Sequence, residues 1–220
     1  MNNRDLFIYA QTNKNKRALS ETKSTLSALI DRSITSIEIP NSVTSIGKRA
    51  FYECSELITV VLHNGVIGTQ DQAFAFCTSL KNINFPDSVT TIGPQTFYNC
   101  SSLENVILPS GIKAIYYSAF NLCVSLSDVT LPASLETISS NVFSGCSALE
   151  NVTLESGFNA NGLDVSASSL FSVDTLVSML NALADLTGQQ AKTLTIGSTN
   201  LAKLSNEQIA IATEKNWTLA

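Results

Sequence analysis

The chain has 220 residues, of which 44% are apolar and 14% charged, and its formal net charge is −5. The apolar share is sufficient for a continuous core. We expect no binding of nucleic acid, because such binding requires clustered lysine and arginine, which this acidic chain lacks. No apolar run approaches the ~18 residues of a membrane helix, so we expect no membrane insertion.

Residues 1–32 come before any regular repeat. Within them the segment 20–31 predicts a helix, because Thr22, Leu26, Leu29 and Ile30 form a partial apolar stripe. Solenoids need caps, since their terminal coils would otherwise expose core. We therefore predict a helical N-terminal cap over residues 1–32. The first residues lack the positive segment and long apolar run of a signal peptide.

From residue 33 to residue 158 the same types of side chain recur at every twenty-third position. Two apolar ladders carry the period: Phe51, Phe74, Phe97, Phe120 and Phe143, and, three residues after each, Cys54, Cys77, Cys100, Cys123 and Cys146. A fixed period in this range is typical of a solenoid, in which each unit buries its apolar face against its neighbours. We interpret both ladders as structural.

One coil illustrates the predicted path of the chain. Val106 and Leu108 alternate with polar or outward positions, which predicts a short strand with one face inward. Pro109 ends the strand because proline cannot donate to a ladder. After a turn and a second short extended stretch, Phe120 and Cys123 are three residues apart, which predicts a helical turn of the α or 3₁₀ type. The whole is an α/β repeat, a right-handed leucine-rich-repeat solenoid of five to six coils with short strands and helical turns.

The residues of the repeat also resemble a known family. The run Ile39-Pro40-Asn41-Ser42-Val43-Thr44-Ser45-Ile46-Gly47, followed by Phe51-x-x-Cys54-x-x-Leu57, is similar to the consensus of the BspA-like leucine-rich repeats. The match recurs at 85–93 and covers roughly residues 33–158. The resemblance implies a bacterial surface or secreted protein that adheres to host proteins or other cells. A visible export signal, which such a protein would use, is not present.

The five cysteines suggest buried, reduced thiols. Metal sites need short cysteine or histidine clusters, whereas these cysteines are each a full repeat apart and the chain has one histidine. Adjacent coils stack about 5 Å apart, so distance alone does not forbid a disulfide. Side chains of a ladder point the same way into the core, however, and free cysteine is among the most buried residue types. We expect no disulfide, no metal and no cofactor.

Residues 159–220 leave the repeat register and predict an αβαβ C-terminal block. Ser172 is an N-cap for a helix that Gly188 ends, and the segment 193–196 is a strand that we expect to join the main sheet. Ser205 with Gln208 forms a capping box for a second helix, and Trp217 lies in a closing strand. The ending also resembles the tails of some prophage-encoded repeat proteins. The predicted organisation is one structural domain: cap 1–32, solenoid 33–158 and capping block 159–220.

The outward residues of the main strands form the candidate site. They line one continuous surface, and we single out Glu38, Thr59, Asn82, Asn84, Asn105, Asp128, Thr130, Asn151 and Thr153. Concave solenoid surfaces of this kind commonly bind partners. The alternative is that asparagine and threonine ladders simply suit an exposed sheet and bond to their own neighbours. Tyr52, Phe76 and Tyr98 are expected on the other side, near the turns.

Catalysis has little support in the sequence. His63 is the one histidine, occupies a slot where other coils carry proline, and is interpreted as a solvated loop residue without a partner for a triad. We predict no enzyme. The predicted function is a binding or adhesion module for a protein or glycan partner. The alternative is a structural component of a phage-derived, tail-like particle.

Overall fold

Stacked coils, each with short strands that pair in parallel with those of its neighbours, make up most of the described molecule. The structure is a computed structural model that describes residues 32–220 throughout and, before them, the backbone of three strands. These are β1 (Leu6–Gln11), β2 (Lys16–Glu21) and β3 (Thr25–Leu26). The chain then winds through successive coils, and equivalent segments of the coils form rows.

The first row, here called the strand row, holds the longer strands. They are β4 (Ser36–Glu38), β6 (Thr59–Val61), β8 (Asn82–Asn84), β10 (Asn105–Ile107), β12 (Asp128–Leu131) and β14 (Asn151–Leu154). Paired strands are parallel, and their register joins equivalent positions of successive coils, as between Asn82 and Asn105. Their side chains alternate between exposed and buried because successive residues of a strand point to opposite faces.

The second row contains strands of two residues. It joins β3 to β5 (Ser45–Ile46), β7 (Gly68–Thr69), β9 (Thr91–Ile92), β11 (Ala114–Ile115) and β13 (Thr137–Ile138). All pairs are again parallel. The two rows form opposite walls around the inward side chains. The predicted leucine-rich-repeat type of solenoid is confirmed.

The third side of each coil, here called the turn row, differs from the prediction. The segments that carry Phe and Cys, 48–54 and its equivalents, are successive turns and not α or 3₁₀ helix. In the third of these coils Gln95 and Asn99 have φ of 50° and 56°, and the equivalent residues of the other coils are also left-handed. Left-handed residues cannot continue a right-handed helix. The helical turns were therefore a wrong detail of the prediction.

The turn row gains its stability from bonds between coils. The N–H groups of Gln95, Phe97 and Asn99 donate to carbonyl oxygens of the next coil at 2.9, 2.8 and 2.8 Å. The intervening N–H groups close local turns, as Cys100 does to Phe97 at 3.1 Å. Each turn-row segment from residue 48 to residue 122 repeats this pattern, in which N–H groups donate to the following coil and not to the preceding one. In the last coil the corresponding N–H groups, at 141, 143 and 145, have no partner among the described residues.

The core lies between the three rows and is continuous along the array. Phe51, Phe74, Phe97, Phe120 and Phe143 form one stack with ring centroids 5.0, 5.4, 5.4 and 5.7 Å apart and interplanar angles of 6° or less. All five rings are fully buried, as are the five cysteines beside them. Stacked aromatic pairs at 4.5–7 Å contribute about 0.5–1.5 kcal/mol beyond their buried area.

The N-terminal segment contradicts the predicted helical cap. Strands β1 and β2 form an antiparallel hairpin, and β1 also pairs antiparallel with β4 at the end of the strand row. Residues 20 and 21 of the predicted helix lie in β2, and Thr25–Leu26 form β3 in the second row. The remaining residues of that helix, 22–24 and 27–31, lie outside the described part. A strand at this edge satisfies backbone groups that a helix would leave unpaired.

The C-terminal block contains three helices and three strands. In chain order they are β15 (Leu163–Asp164), α1 (Val173–Ala182), β16 (Lys192–Thr195), α2 (Ser198–Leu201), α3 (Asn206–Glu214) and β17 (Trp217–Leu219). Ser172 caps α1, and Ser205 with Gln208 forms the capping box of α3. Strand β16 pairs with β15 and β17 in a sheet of its own, so its predicted place in the main sheet was wrong. Because β16 has partners on both edges, its backbone groups are paired without the strand row.

Candidate binding surface

The outward side of the strand row, here called the strand face, is exposed along its length. All nine residues that the sequence singled out are exposed: Glu38, Thr59, Asn82, Asn84, Asn105, Asp128, Thr130, Asn151 and Thr153. The alternation of the strands places them there, with Val60, Ile83 and Val106 turned into the core. The sequence therefore predicted the exposure of this surface correctly. Its role in binding stays a prediction.

Part of the polar ladder bonds to itself. The Asn151 amide donates to the Asp128 carboxylate at 2.8 Å, and the Asn105 amide donates to the Asn82 side-chain oxygen at 3.5 Å. Ser127 also donates to Asp128. Neighbour-to-neighbour bonding thus accounts for several of these side chains. For Asn84, Thr130 and Thr153 the described residues offer no such side-chain partner.

The strand face also carries exposed apolar side chains, which are not among the nine residues singled out from the sequence. Ile107 is 63% exposed, Val61 50% and Ile58 47%. Ile58 precedes β6, at a position where the next coils carry Lys81, Glu104 and Ser127. A comparison of equivalent positions could have found Ile58, because it is the apolar exception in an otherwise polar column.

The strand row is divided at one junction, here called the seam. Strands β4 and β6 belong to one sheet and β8, β10, β12 and β14 to another, and β6 does not pair with β8. The second row and the phenylalanine stack pass the same point without interruption. A cavity of about 290 Å³ opens at the seam, bounded by 58–62 on one side and by Lys81, Asn82 and Asn84 on the other. It was not predicted from the sequence.

The coil beside the seam departs from the repeat at several positions. Phe85 stands where the equivalent residues of the next three coils are leucines, and its ring meets Phe97 edge-on at 5.8 Å. Leu62, across the seam, is only partly buried, whereas Leu108 and Leu131 at the same position are buried. The larger side chain at 85 and the less buried one at 62 are consistent with coils that splay apart on this side.

His63 follows β6 and is not the solvated residue that the sequence suggested. Its Nδ1 accepts a hydrogen bond from the Gly65 N–H at 2.9 Å. Its Nε2 is enclosed and has no partner among the described residues. With one nitrogen engaged by backbone and the other shut off from solvent, the ring is poorly placed to act as a general base.

Charged groups near the strand face are few and mostly paired with a neighbouring coil. Lys81 Nζ lies 3.9 Å from the Glu104 carboxylate, and Lys113 Nζ lies 3.0 Å from Glu136 on the second-row side. Each pair links equivalent positions of neighbouring coils, and all four side chains are at least half exposed. Exposed pairs of this kind contribute about 0–1 kcal/mol. Lys81 therefore remains available for other partners.

The cysteines offer no reactive site. All five are free and buried. Burial raises the pKa of Cys77, Cys100 and Cys123 well above the ordinary value and that of Cys146 to about 12. Thiols of this kind are inert, because the thiolate is the nucleophile and metal ligand. Within the described residues, no cluster of three or more potential ligands could hold a metal ion.

A row of partly exposed aromatic side chains lies on the turn row. Tyr52, Phe76 and Tyr98 are half-buried and meet edge to face with centroids 5.4 Å apart. The Arg49 guanidinium lies 5.0 Å from the centre of the Tyr52 ring. They lie on the turn side, as predicted from the sequence, and do not contribute to the strand face.

Stacked parallel strands, a phenylalanine and cysteine core and an exposed polar face define a leucine-rich-repeat solenoid, a class of repeat protein that binds partners on extended surfaces. A profile of the BspA type leucine rich repeat region matches residues 26–150 and 67–172, with six copies. The chain belongs to the BspA type leucine-rich-repeat family. In the part of the chain that the structure covers, no helix is both long and apolar enough to span a bilayer.

Two solved structures show the same fold. The T. pallidum Leucine Rich Repeat protein (TpLRR) is 24% identical over 89% of each chain, with a TM-score of 0.64. The pneumococcal vaccine antigen PcpA is 22% identical, with a TM-score of 0.52, and the match covers 81% of this chain and 52% of PcpA. At these identities the likeness concerns the fold. A comparison with curated proteins finds no match to this chain.

Proposed function

We propose that the chain is a non-catalytic recognition module that binds a protein or glycan partner through its strand face. The contact residues would be the exposed side chains of the six strands, from Glu38 to Thr153. The observation that carries the proposal is the exposed strand face, with apolar side chains at Val61 and Ile107 among amides and hydroxyls. Interfaces combine apolar contacts with hydrogen-bonding groups in this way.

We further propose a surface or secreted location and an adhesive role. Support comes from membership of the BspA type family and from the fold likeness to PcpA, which is described as a vaccine antigen. The proposed absence of catalysis is supported by the engaged state of His63 and the inert thiols. The phage-particle alternative stays a prediction, since no observation on the described residues favours it.

Binding of the purified chain to arrays of host matrix proteins and glycans tests the proposal. The Asn82→Glu/Asn105→Glu/Asn151→Glu variant places three negative charges on the strand face. A control variant, Ser110→Glu/Ser140→Glu/Ser147→Glu, places three negative charges at exposed positions elsewhere. We expect hits that the first variant loses and the control retains. Arrays without hits, or hits that both variants retain, would contradict a binding role for this face.

A further inference from the structure

A backbone hydrogen bond that the other described coils make is missing at the seam. The N–H groups of Ile58, Glu104, Ser127 and Glu150 each donate to the carbonyl oxygen of the equivalent residue one coil earlier, at 2.8 to 3.2 Å. At the seam this bond would run from Lys81 N–H to Ile58 O, and it is not made between these described residues.

Two more backbone donors at the seam have no bond across it. Asn82 N–H does not donate to Ile58 O, and Leu62 N–H finds no acceptor in β8. The equivalent N–H groups of Asn105 and Leu108 also lack these bonds, so Lys81 N–H is the donor that is particular to the seam. Lys81, Asn82 and Leu62 all border the cavity. Unpaired backbone donors at an open cavity are ready to bind an acceptor.

Side chains add to this excess of donors. Asn82 uses its side-chain oxygen to accept from Asn105, which leaves its amide N–H groups to donate. Lys81 contributes a cationic ammonium, and none of the described residues that line the cavity is acidic. The Lys81 ammonium lies 3.9 Å from the Glu104 carboxylate, which is too long for a hydrogen bond. The β8 side of the cavity therefore favours a negatively charged acceptor.

The opposite wall is aliphatic. Ile58, Val61 and Leu62 present methyl groups from the β6 side, and Ile58 and Val61 are about half exposed. An occupant that matches both walls has a short aliphatic stem and an anionic end. A glutamate side chain has this composition, and a cavity of about 290 Å³ has room for it.

We infer that the seam cavity binds an acidic side chain of glutamate type on a protein partner, with its stem on Ile58 and Val61 and its carboxylate on Lys81 and Asn82. The inference rests on the proposed function and specifies the partner's chemistry. Charge-assisted hydrogen bonds to a carboxylate are stronger than neutral ones. The described lining of the cavity contains no aromatic ring on which a sugar face would stack, and the inference commits to a peptide.

Selection from a phage-displayed library of random dodecapeptides tests the inference, with a glycan array rich in sialic and uronic acids in parallel. The variant Lys81→Gln removes the charge at the seam. Lys113→Gln is the matched control, because Lys113 also pairs with a glutamate at the equivalent position of the next coil and is similarly exposed. Both variants should keep the wild-type melting temperature.

We expect selected peptides to carry a glutamate or aspartate beside aliphatic residues. Their affinity should fall at least tenfold with Lys81→Gln, or when the peptide's acidic residue becomes its amide, and stay unchanged with Lys113→Gln. Selected peptides without an acidic residue, no selected peptide, equal effects of the two variants, or binding of acidic glycans alone would overturn the inference. Array hits that depend on the strand-face asparagines but not on Lys81 would leave the proposed function standing.

Discussion

The thiol of Cys100 donates a hydrogen bond to the backbone carbonyl oxygen of Phe74, in the preceding coil, at 3.1 Å. Cys77, Cys123 and Cys146 make the same bond to the phenylalanine of the coil before them, at 3.1 to 3.2 Å. Each thiol is thus a second donor to a carbonyl that already accepts the N–H of the cysteine in its own coil. The position suits a small apolar side chain with one weak donor, which is the chemistry of cysteine.

Burial of this thiol predicts an alkaline limit to stability. Burial holds the pKa of Cys100 well above its ordinary value of 9.0, so above that pH the unfolded thiol ionises while the folded one stays protonated. The folded state then binds more protons, and the free energy of unfolding falls by about 1.4 kcal/mol per pH unit for each such thiol. Below pH 9 both states are protonated and the contribution is complete.

Urea unfolding of wild type and Cys100→Ala at pH 8 and pH 10 measures this effect. The difference in free energy of unfolding between the two proteins should shrink by about 1.4 kcal/mol at the higher pH. Leu103→Ala, a core truncation without a titrating group, serves as control and should show a constant difference. A constant difference for Cys100→Ala as well would contradict the buried, protonated thiol.

The phenylalanine stack predicts a severe effect of Phe97→Asp. Phe97 is fully buried between Phe74 and Phe120, and a carboxylate there would have no partner. Loss of the ring alone costs about 3–5 kcal/mol, and the buried charge adds to this. We expect loss of the folded array in circular dichroism. Ile107→Asp, at an exposed position, should melt like wild type, and wild-type stability of Phe97→Asp would refute the stack.

The left-handed backbone of the turn row predicts that Asn99→Val is destabilising. Asn99 has φ of 56°, where a β-branched side chain collides with the backbone. The expected loss is about 1–2 kcal/mol. Asn99→Gly should be much milder, since glycine adopts this conformation freely. Asn121→Val, in the next coil at a residue without positive φ, is the control. Equal losses for Asn99→Val and Asn121→Val in urea unfolding would speak against backbone strain.

Lys215 is expected to stabilise the C-terminal block. Its ammonium donates to the carbonyl oxygens of Leu180, Asn181 and Leu183 at 3.1, 2.6 and 3.0 Å, where α1 ends. Of these carbonyls only that of Leu180 accepts a backbone N–H beyond it, from Leu183 at 3.4 Å, and a cation at the end of a helix also suits the helix dipole. Lys215→Met should lower the free energy of unfolding by about 1–3 kcal/mol.

Lys113→Met, which removes only an exposed ion pair, should cost less than about 1 kcal/mol in the same urea titration. If the two methionine variants unfold at the same urea concentration, Lys215 does not hold the end of α1.

The repeat period predicted most of the array because it reports which side chains are buried. Phe51 to Phe143 and Cys54 to Cys146 are inside, and the residues from Glu38 to Thr153 are outside. The turn row escaped prediction because its left-handed positions carry Arg49, Gln95, Ser118 and other residues with no common signature. A spacing of three between Phe and Cys fits a helical turn and a series of tight turns equally well.

The ends and the seam depend on contacts that a single sequence does not display. The segment 20–31 has a partial helical stripe, but its described residues pair as strands, Ser20 and Glu21 with β1 and Thr25–Leu26 with β5. The seam depends on the spacing of two coils and becomes visible only through the missing pairing of β6 with β8 and the bond that Lys81 N–H does not make. The one sign of the seam in the sequence is Phe85, at a position where the neighbouring coils carry leucine.

The one-way hydrogen bonds of the turn row give the array an electrical direction. In the turn-row segments, from 48–54 to 117–122, the N–H groups that bond to another coil all point toward the C-terminal side, so their peptide dipoles add along this row. The aligned peptide dipoles of this row add as they do in an α-helix. In a helix successive hydrogen-bonded groups are one turn apart, whereas here they are one coil apart. The positive end of this dipole lies at 141–145. Its direction follows from the order in which the coils follow one another along the chain, not from any charged side chain.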